Sequence, residues 1–462
     1  MIFADFILQH QADDPAALAL SRKRYADFPE FPLALTTLEA RRKLRGKVPE
    51  WVEVPSLRFP YPLSAEQCSS TETANYKAML FREGGIYSET CGHPRPHKRE
   101  GPAGCAGGRG RSDAETVSEY IPPFHNIADI TGGLGVDSWA FAKAGFKVLY
   151  NDMRPVLVDA ARHNFAELGL DGVQFRCAEI KPGAIDGILD GFKADVFFLD
   201  PARRDSSGGK VFRIADCSPD VTALLPELFS HARYVLIKLS PMLDISQGAR
   251  DLGQQVREIH IVGADGECKE LLFLLDREHK GDYTITVADG GSTLTFSPSE
   301  ERDATADLGS GPKTRQNGPE VTKNQGFRPE NPAKRAGAQP QGYLFEPGKA
   351  LLKAGCFKLI SQRFKMAKAG INAHLYFADE PQDTLRPFGK WFRVLESAPL
   401  DKRSIRDFAV RYPDADVTAR AVPLTSDELR KRLGSRSGGP AHIFAFHHEK
   451  SGRNLMVAAA VE

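Results

Sequence analysis

The sequence predicts an α/β protein built on a doubly wound parallel sheet, with a helical region before it and a smaller α+β module after it. Three observations carry this. Between residues 116 and 297, near-continuous apolar runs of strand length alternate with amphipathic helical stretches. That alternation marks parallel strands buried on both faces by helices. Two of the runs end in turns rich in reactive residue types, Asp129-Ile-Thr-Gly-Gly-Leu-Gly135 and Asp200-Pro-Ala-Arg203. Ligands of doubly wound sheets bind beyond the carboxyl ends of the strands, where both turns fall. Finally, two polar stretches poor in branched apolar residues, 92–112 and 298–342, interrupt the pattern and divide the chain.

Residues 1–115 are expected to be mostly helical. Within them, LALTTLEARRKLRGKVPEW starts with an apolar helical period and ends in Arg41, Arg42, Lys43, Arg45 and Lys47. Cations at a helix C-terminus suit the macrodipole. The same run can contact phosphates, and both readings stand. Residues 92–112, GHPRPHKREGPAGCAGGRGRS, form an irregular insert by composition. Cys91, His93, His97 and Cys105 have loosely zinc-like spacing there. No pair has the tight Cys-x-x-Cys form, so no metal site is assigned.

The catalytic-type sheet spans 116–297. HNIADIT is its first strand, followed by a helix from Val136 to Ala144, and FKVLYND is the second. PVLVDAARHNFAELGL is a helix with Leu157, Ala160, Ala161, Phe165 and Leu168 on one face. VQFRCAE and ADVFFLD are the third and fourth strands. SPDVTALLPELFSHA is a helix with Ser218 as its N-cap. ARYVLIKLSP is the fifth strand, and REIHIVG and CKELLFLLD close the sheet as a pair. Residues 298–342, rich in Pro, Gly, Asn, Gln and charge, read as a disordered linker. Beyond it, ALLKAGCFKLISQRF is an amphipathic helix and AHLYFAD a strand. Thr425-Ser-Asp-Glu428 opens a helix capped by Thr425 or Ser426, and HIFAFHHE and RNLMVAAAVE make a final strand pair joined at Lys450-Ser-Gly-Arg453.

The net formal charge of +1 hides an asymmetry. Residues 116–300 hold 18 Lys/Arg against 27 Asp/Glu, a net of −9, whereas residues 346–462 hold 20 against 13, a net of +7. An acidic body with a basic appendage fits a catalytic domain joined to a polyanion-binding module. The first residues, MIFADFILQHQADD, lack the basic start of a signal peptide. No stretch approaches the ~20 apolar residues of a membrane span. Seven scattered cysteines, an odd number, do not make a disulfide framework. These features point to a cytoplasmic protein with reduced thiols.

Chemistry concentrates at the strand ends. Gly132, Gly133 and Gly135 free the backbone to adopt positive φ and to pass close under a cofactor. Asp129 can orient the cofactor's amino group. The pattern Asp-x-x-Gly-Gly-x-Gly is not the Gly-x-Gly-x-x-Gly of dinucleotide folds. Together with the later Asp-Pro turn it favours S-adenosylmethionine (SAM) over NAD. Asp152 lies 20 residues beyond Gly132, where an acid holds ribose hydroxyls. Met153 can pack on adenine, and Glu179 can accept from its amino group. At Asp200-Pro201, a carboxylate and a carbonyl on a stiff backbone can accept the N–H groups of an exocyclic amine and aim its lone pair at a methyl group. Arg203 and Arg204 can hold a phosphate or stack on a base. After the fifth strand, Lys238 and Ser240 should line the acceptor side. Cys217 is a conceivable nucleophile, but buried structural cysteines are several times commoner.

These motifs resemble those of bacterial class I SAM-dependent methyltransferases with a C-terminal THUMP-like domain. The resemblance rests on Leu63-Ser-x-Glu-Gln-Cys-Ser-Ser70, Thr73-Ala-Asn-Tyr-Lys77, Asp129 to Asp137, Asp-Pro-Ala-Arg-Arg at 200–204, Asp216 to Val221, Lys238 to Asp244 and Glu267 to Leu271. It implies a Rossmann-like methyltransferase sheet, a ferredoxin-like segment at 343–395 and a THUMP-like domain at 396–462. It also implies SAM as cofactor and RNA as partner, with tRNA favoured. Enzymes of related type carry Asp-Pro-Pro-Tyr or Asn-Pro-Pro-Tyr. Here Ala202 replaces the second proline and Arg203 the aromatic that stacks on the base, so the base itself stays open. Two rivals remain. One is a small-molecule or protein methyltransferase whose basic tail only packs. The other is an RNA-binding protein that retains SAM without catalysis. An NAD enzyme is a weaker third.

Overall fold

The computed structural model describes residues 2–82, 124–203, 214–308 and 342–461, which fall into two compact units. The first holds residues 1–204 and 217–236; the second holds 205–216 and 237–462.

The first unit begins with helices α1 (Phe3–His10), α2 (Pro15–Leu20), α3 (Phe31–Leu44), α4 (Pro49–Val52), α5 (Pro62–Gln67) and α6 (Thr71–Arg82). Phe3, Phe6, Tyr25, Phe28, Phe31 and Leu38 bury together as the centre of this helical region. Each such side chain contributes roughly 1.5–3 kcal/mol by leaving water. Of the cations that end α3, Arg41 turns inward. Arg41 is buried and donates to the carbonyls of Val54, at 2.9 Å, and Val52. Arg42 pairs with Asp14, Lys43 with Glu66, and Lys47 donates to the Glu66 and Cys68 carbonyls. Four of the five thus have partners within the helical region, of which only Arg41 is buried, while Arg42 and Arg45 stay exposed.

Seven strands follow: β1 (Asn126–Asp129), β2 (Lys147–Asn151), β3 (Val173–Arg176), β4 (Val196–Leu199), the two-residue β5 (Ala202–Arg203) and β6 (Cys217–Ser218), and β7 (Tyr234–Leu239). The sheet runs β7-β4-β1-β2-β3. β1 pairs in parallel with both β2 and β4, and β2 with β3. The order therefore reverses beside β1, the switch point at which open α/β sheets bind ligands. Connecting helices are α7 (Val136–Lys143), α8 (Pro155–Glu167), α9 (Ile185–Leu189) and α10 (Val221–His231). The N-cap of α10 is Asp220, which accepts from Thr222 and Ala223 N–H, not Ser218. Ser218 precedes Pro219, which keeps it extended, and it pairs in β6 instead.

A strap from the helical region runs along α8. The Ser56 carbonyl accepts from His163 Nε2 at 2.9 Å, and Arg58 and Asn164 exchange two hydrogen bonds of 2.7 and 2.9 Å. At the start of α8 the Arg154 guanidinium lies 5.7 Å from the centre of the Tyr61 ring.

The second unit contains α11 (Ile245–Leu252) and a sheet of β8 (Val256–Ala264), β9 (Glu267–Asp276), β10 (Thr284–Asp289) and β11 (Ser292–Phe296), in the order β11-β10-β8-β9. β8 and β9 form the expected antiparallel closing pair. The stretch from 298, expected to be disordered, starts with a helix, α12 (Pro298–Asp303), closed by a Ser297–Glu300 capping box. Residues 309–341 and the 92–112 insert lie outside the described residues.

Its second sheet joins β12 (Tyr343–Pro347), β13 (Ala367–Lys368), β14 (Tyr376–Ala378), β15 (Gly389–Pro399), β16 (Asp414–Arg420), β17 (Arg436–His448) and β18 (Gly452–Ala460) in the order β13-β14-β12-β15-β18-β17-β16. The single helix expected across 350–364 is two, α13 (Lys349–Ala354) and α14 (Phe357–Arg363), because Gly355 takes φ +75° and ends the first. α15 (Lys402–Arg411) and α16 (Ser426–Leu433) pack Phe408, Leu429 and Leu433 against Val417, Ile443, Leu455 and Val457 of the sheet. Thr425 is the N-cap of α16, and β17 and β18 pair antiparallel up to His448↔Gly452.

Candidate active site

The glycine turn leaves β1 at Asp129, whose carboxyl is buried. Its Oδ2 accepts from Ser138 Oγ at 2.5 Å and its Oδ1 from the Thr131 N–H at 3.2 Å. Burial pushes its pKa up to about 8, helped by the charges of Asp137 and Asp200 and opposed by the two hydrogen bonds. Packing leaves no room for a side chain at Gly132: a Cβ there would lie 2.1 Å from the Tyr150 ring. Tyr150 in turn donates its hydroxyl to the Gly133 carbonyl at 2.6 Å. Gly133 has φ +53° and Gly135 φ +95°. A Cβ on Gly133 would meet nothing nearer than 3.8 Å, so the turn is open on that side.

At the β2 exit, Asn151 is fully buried and was not singled out by sequence. It donates to the Ile130 and Ala178 carbonyls and accepts from the Ala178 N–H, each at 3.0 Å, tying three strand ends together. Asp152 Oδ2 accepts from the Gly133 N–H at 3.0 Å, and its Oδ1 from the Arg154 N–H at 2.8 Å. The Arg154 guanidinium bonds the same carboxylate at 3.2 and 3.4 Å. Met153 beside it is 61% exposed. Glu179 is exposed and lies 3.6 Å from Lys181.

The Asp-Pro turn is fastened to the glycine turn: the Asp200 N–H donates to Thr131 Oγ1 at 2.6 Å. Pro201 is buried. Ala202 and Arg203 then pair antiparallel with Ser218 and Cys217. Cys217 is buried in this small ladder, as a structural cysteine would be. Arg204 lies outside the described residues. Lys238 and Ser240 belong to the second unit, where Lys238 Nζ is 4.0 Å from a Glu270 carboxylate oxygen and Ser240 Oγ accepts from the Met242 N–H.

A buried ionic cluster stands behind the turn. Lys77 Nζ lies 3.1 Å from Asp137 Oδ1 and donates to Ser69 Oγ at 3.1 Å, and Ser69 donates to Asp137 Oδ2 at 2.9 Å. It joins α6 to the first turn of α7. All three residues lie within the motifs named above, but nothing local to them signals the cluster. Among the described residues no group of three or more His, Cys, Asp or Glu is placed to hold a metal ion.

An adenosyl group fits this arrangement: open space over Gly133, a carboxylate at the β2 exit and an exposed Met153 beside it. The parallel sheet, its glycine turn and its Asp-Pro turn make this chain a class I SAM-dependent methyltransferase. Its C-terminal part matches two known domain families, a ferredoxin-like domain over 343–385 and a THUMP domain-like family over 389–460. The chain is 26% identical over 325 residues to an uncharacterized S-adenosylmethionine-dependent methyltransferase of Mycobacterium tuberculosis, covering 69% of this chain and 76% of that one. It is 33% identical over 105 residues to ribosomal RNA small subunit methyltransferase J of Shewanella pealeana, covering 21% of this chain and 42% of that protein. A candidate methyltransferase from Porphyromonas gingivalis W83, known as a crystal structure, superposes with a TM-score of 0.74 at 25% identity, covering 100% of this chain and 98% of that one.

Proposed function

We propose that this enzyme methylates an exocyclic amine of a base in structured RNA in the cytoplasm, with tRNA as the favoured substrate. The observation that carries the reading is the joining of the two turns at Thr131 and Asp200 in a chain whose C-terminal module is THUMP-like and carries a net charge of +7. SAM, when bound, supplies an electrophilic methyl group on a sulfonium. Asp200 and the Pro201 carbonyl accept the N–H groups of the target amine and aim its lone pair. Pro201 offers that carbonyl without an N–H of its own. The Asp200 carboxylate favours the positive charge that develops on nitrogen. Thr131 fixes the backbone from which both acceptors hang. Asp152 holds the ribose hydroxyls, Met153 lies along the base, and Asp129 and the glycines shape the floor. Glu179 accepts from the adenine amino group. A base in folded RNA reaches this site by leaving its stack.

The relatives named as small-subunit ribosomal RNA methyltransferases favour rRNA as a second reading. Mass spectrometry of nucleosides from separated tRNA and rRNA of a deletion strain decides between them. One methylated nucleoside should vanish, and return with the wild-type gene but not with Asp200→Ala. Unchanged nucleosides in both fractions would favour a small-molecule or protein substrate.

A further inference from the structure

The two helices that cover one face of the C-terminal sheet carry surplus positive charge on their outer sides. α15 and α16 pack on one another and on the same sheet face, with Phe408, Leu429 and Leu433 turned inward. At 100° per residue, the side of α15 opposite Phe408 presents Lys402, Arg403 and Arg406. On α16, Lys431 and Arg432 are exposed. The acids of both helices are already committed. Asp401 and the Thr425–Glu428 capping box close the two N-termini. Asp407 pairs with Arg411, and Asp427 lies 3.7 Å from Arg430. Lys402, Arg403, Arg406, Lys431 and Arg432 have no carboxylate within ion-pair distance among the described residues. Arg41, Arg42 and Lys43 at the end of α3, by contrast, each have a partner within the helical region.

We infer that the outer face of α15 and α16 is the surface on which the phosphate backbone of the RNA substrate lies. The inference rests on the RNA reading above and narrows it to one face. The charge is spread along one to two helical turns, with Lys402 and Arg406 about 6 Å apart along the axis. A small anion has no use for five spread cations, whereas a nucleic-acid backbone does. The contacts are to phosphates, so they position the RNA without reading its sequence. Sequence or shape selection falls to the methyltransferase site.

The test uses the full-length protein and two probes, bulk tRNA and purified small-subunit rRNA, with affinity measured across a salt series. The variant is Lys402→Gln, Arg403→Gln, Arg406→Gln and Lys431→Gln combined. A control combines Lys269→Gln, Lys280→Gln, Lys365→Gln and Lys450→Gln, an equal loss of exposed charge elsewhere in the second unit. The inference expects the slope of log affinity against log salt to fall by about 3 for the patch variant, and affinity near physiological salt to drop roughly 10- to 100-fold. SAM binding by calorimetry should be unchanged, and the control should keep most of the wild-type slope. If wild type binds RNA and the patch variant keeps its affinity and slope, this face is wrong while the RNA reading survives. If the control falls as far as the patch variant, the charge acts diffusely and the inference fails. If wild type binds neither probe, the RNA reading fails and takes the inference with it.

Discussion

The Thr131 hydroxyl accepts the backbone N–H of Asp200 at 2.6 Å, which makes the glycine turn and the Asp-Pro turn one hydrogen-bonded unit. On the proposed function, this bond sets the cofactor floor and the amine acceptors against each other through a side chain within the first motif. Thr131→Val keeps the shape and removes the acceptor. An N–H left unpaired costs about 1–3 kcal/mol, and the turn relieves it by moving. Because small displacements of positioning groups are costly in rate, kcat should fall roughly 10- to 100-fold. The Kd for SAM should change little, and Thr131→Ser should restore most activity. Equal kcat for Thr131→Val and wild type would show that the bond does not position Asp200.

Lys77 is fully buried and its ion pair with Asp137 ties the helical region to the helix that follows the glycine turn. Removing one partner of a buried pair leaves the other charge uncompensated, typically at 3–5 kcal/mol. Lys77→Met should therefore lower stability by about that amount in denaturant unfolding. Adding Asp137→Asn removes the stranded charge and should recover a large part of the loss. If the double variant is no more stable than Lys77→Met, the stranded charge is not the cause.

Much of this architecture was legible in the sequence because the sheet is buried on both faces, so β2, β4 and β7 read as near-continuous apolar runs. The glycine and Asp-Pro turns were legible for the same reason, as sharp breaks in those runs. What stayed hidden depends on partners distant in sequence. The Gly132 requirement comes from the Tyr150 ring, Asn151 serves three strand ends at once, and Lys77 meets Asp137 across 60 residues. The inward turn of Arg41 was hidden likewise, since its acceptors are carbonyls of another segment. Two departures from expectation do carry a local signal. Ser297-Pro-Ser-Glu300 has the spacing of a capping box, and Gly355 sits where a helix can end.

On the proposed function, Arg154 competes with ribose for the Asp152 carboxylate. Two backbone N–H groups and the guanidinium fill all four acceptor positions of Asp152, and only the guanidinium can leave. The Arg154 side chain is 49% exposed, so this ion pair is weak, about 0.2–1 kcal/mol. Arg154→Ala should then bind SAM roughly 1.5- to 5-fold more tightly at low salt. The two proteins should converge as salt screens the pair. Weaker binding by the variant at every salt concentration would instead make Arg154 a cofactor contact.

Asp129 gives the fold a pH dependence with a defined sign. Its folded pKa of about 8 lies above the ~3.9 of an unfolded aspartate, so the unfolded chain gives up this proton first as pH rises. The stability due to the protonated form is complete below pH ~4 and is lost progressively up to pH ~8. At most about 6 kcal/mol is at stake over that window. Asp129→Asn keeps the shape and carries no charge, so it should flatten this component. The difference in unfolding free energy, variant minus wild type, should therefore grow from pH 4 to pH 8 and level off above it. A difference that is flat or shrinks with pH would mean that Asp129 ionises normally beneath the glycine turn.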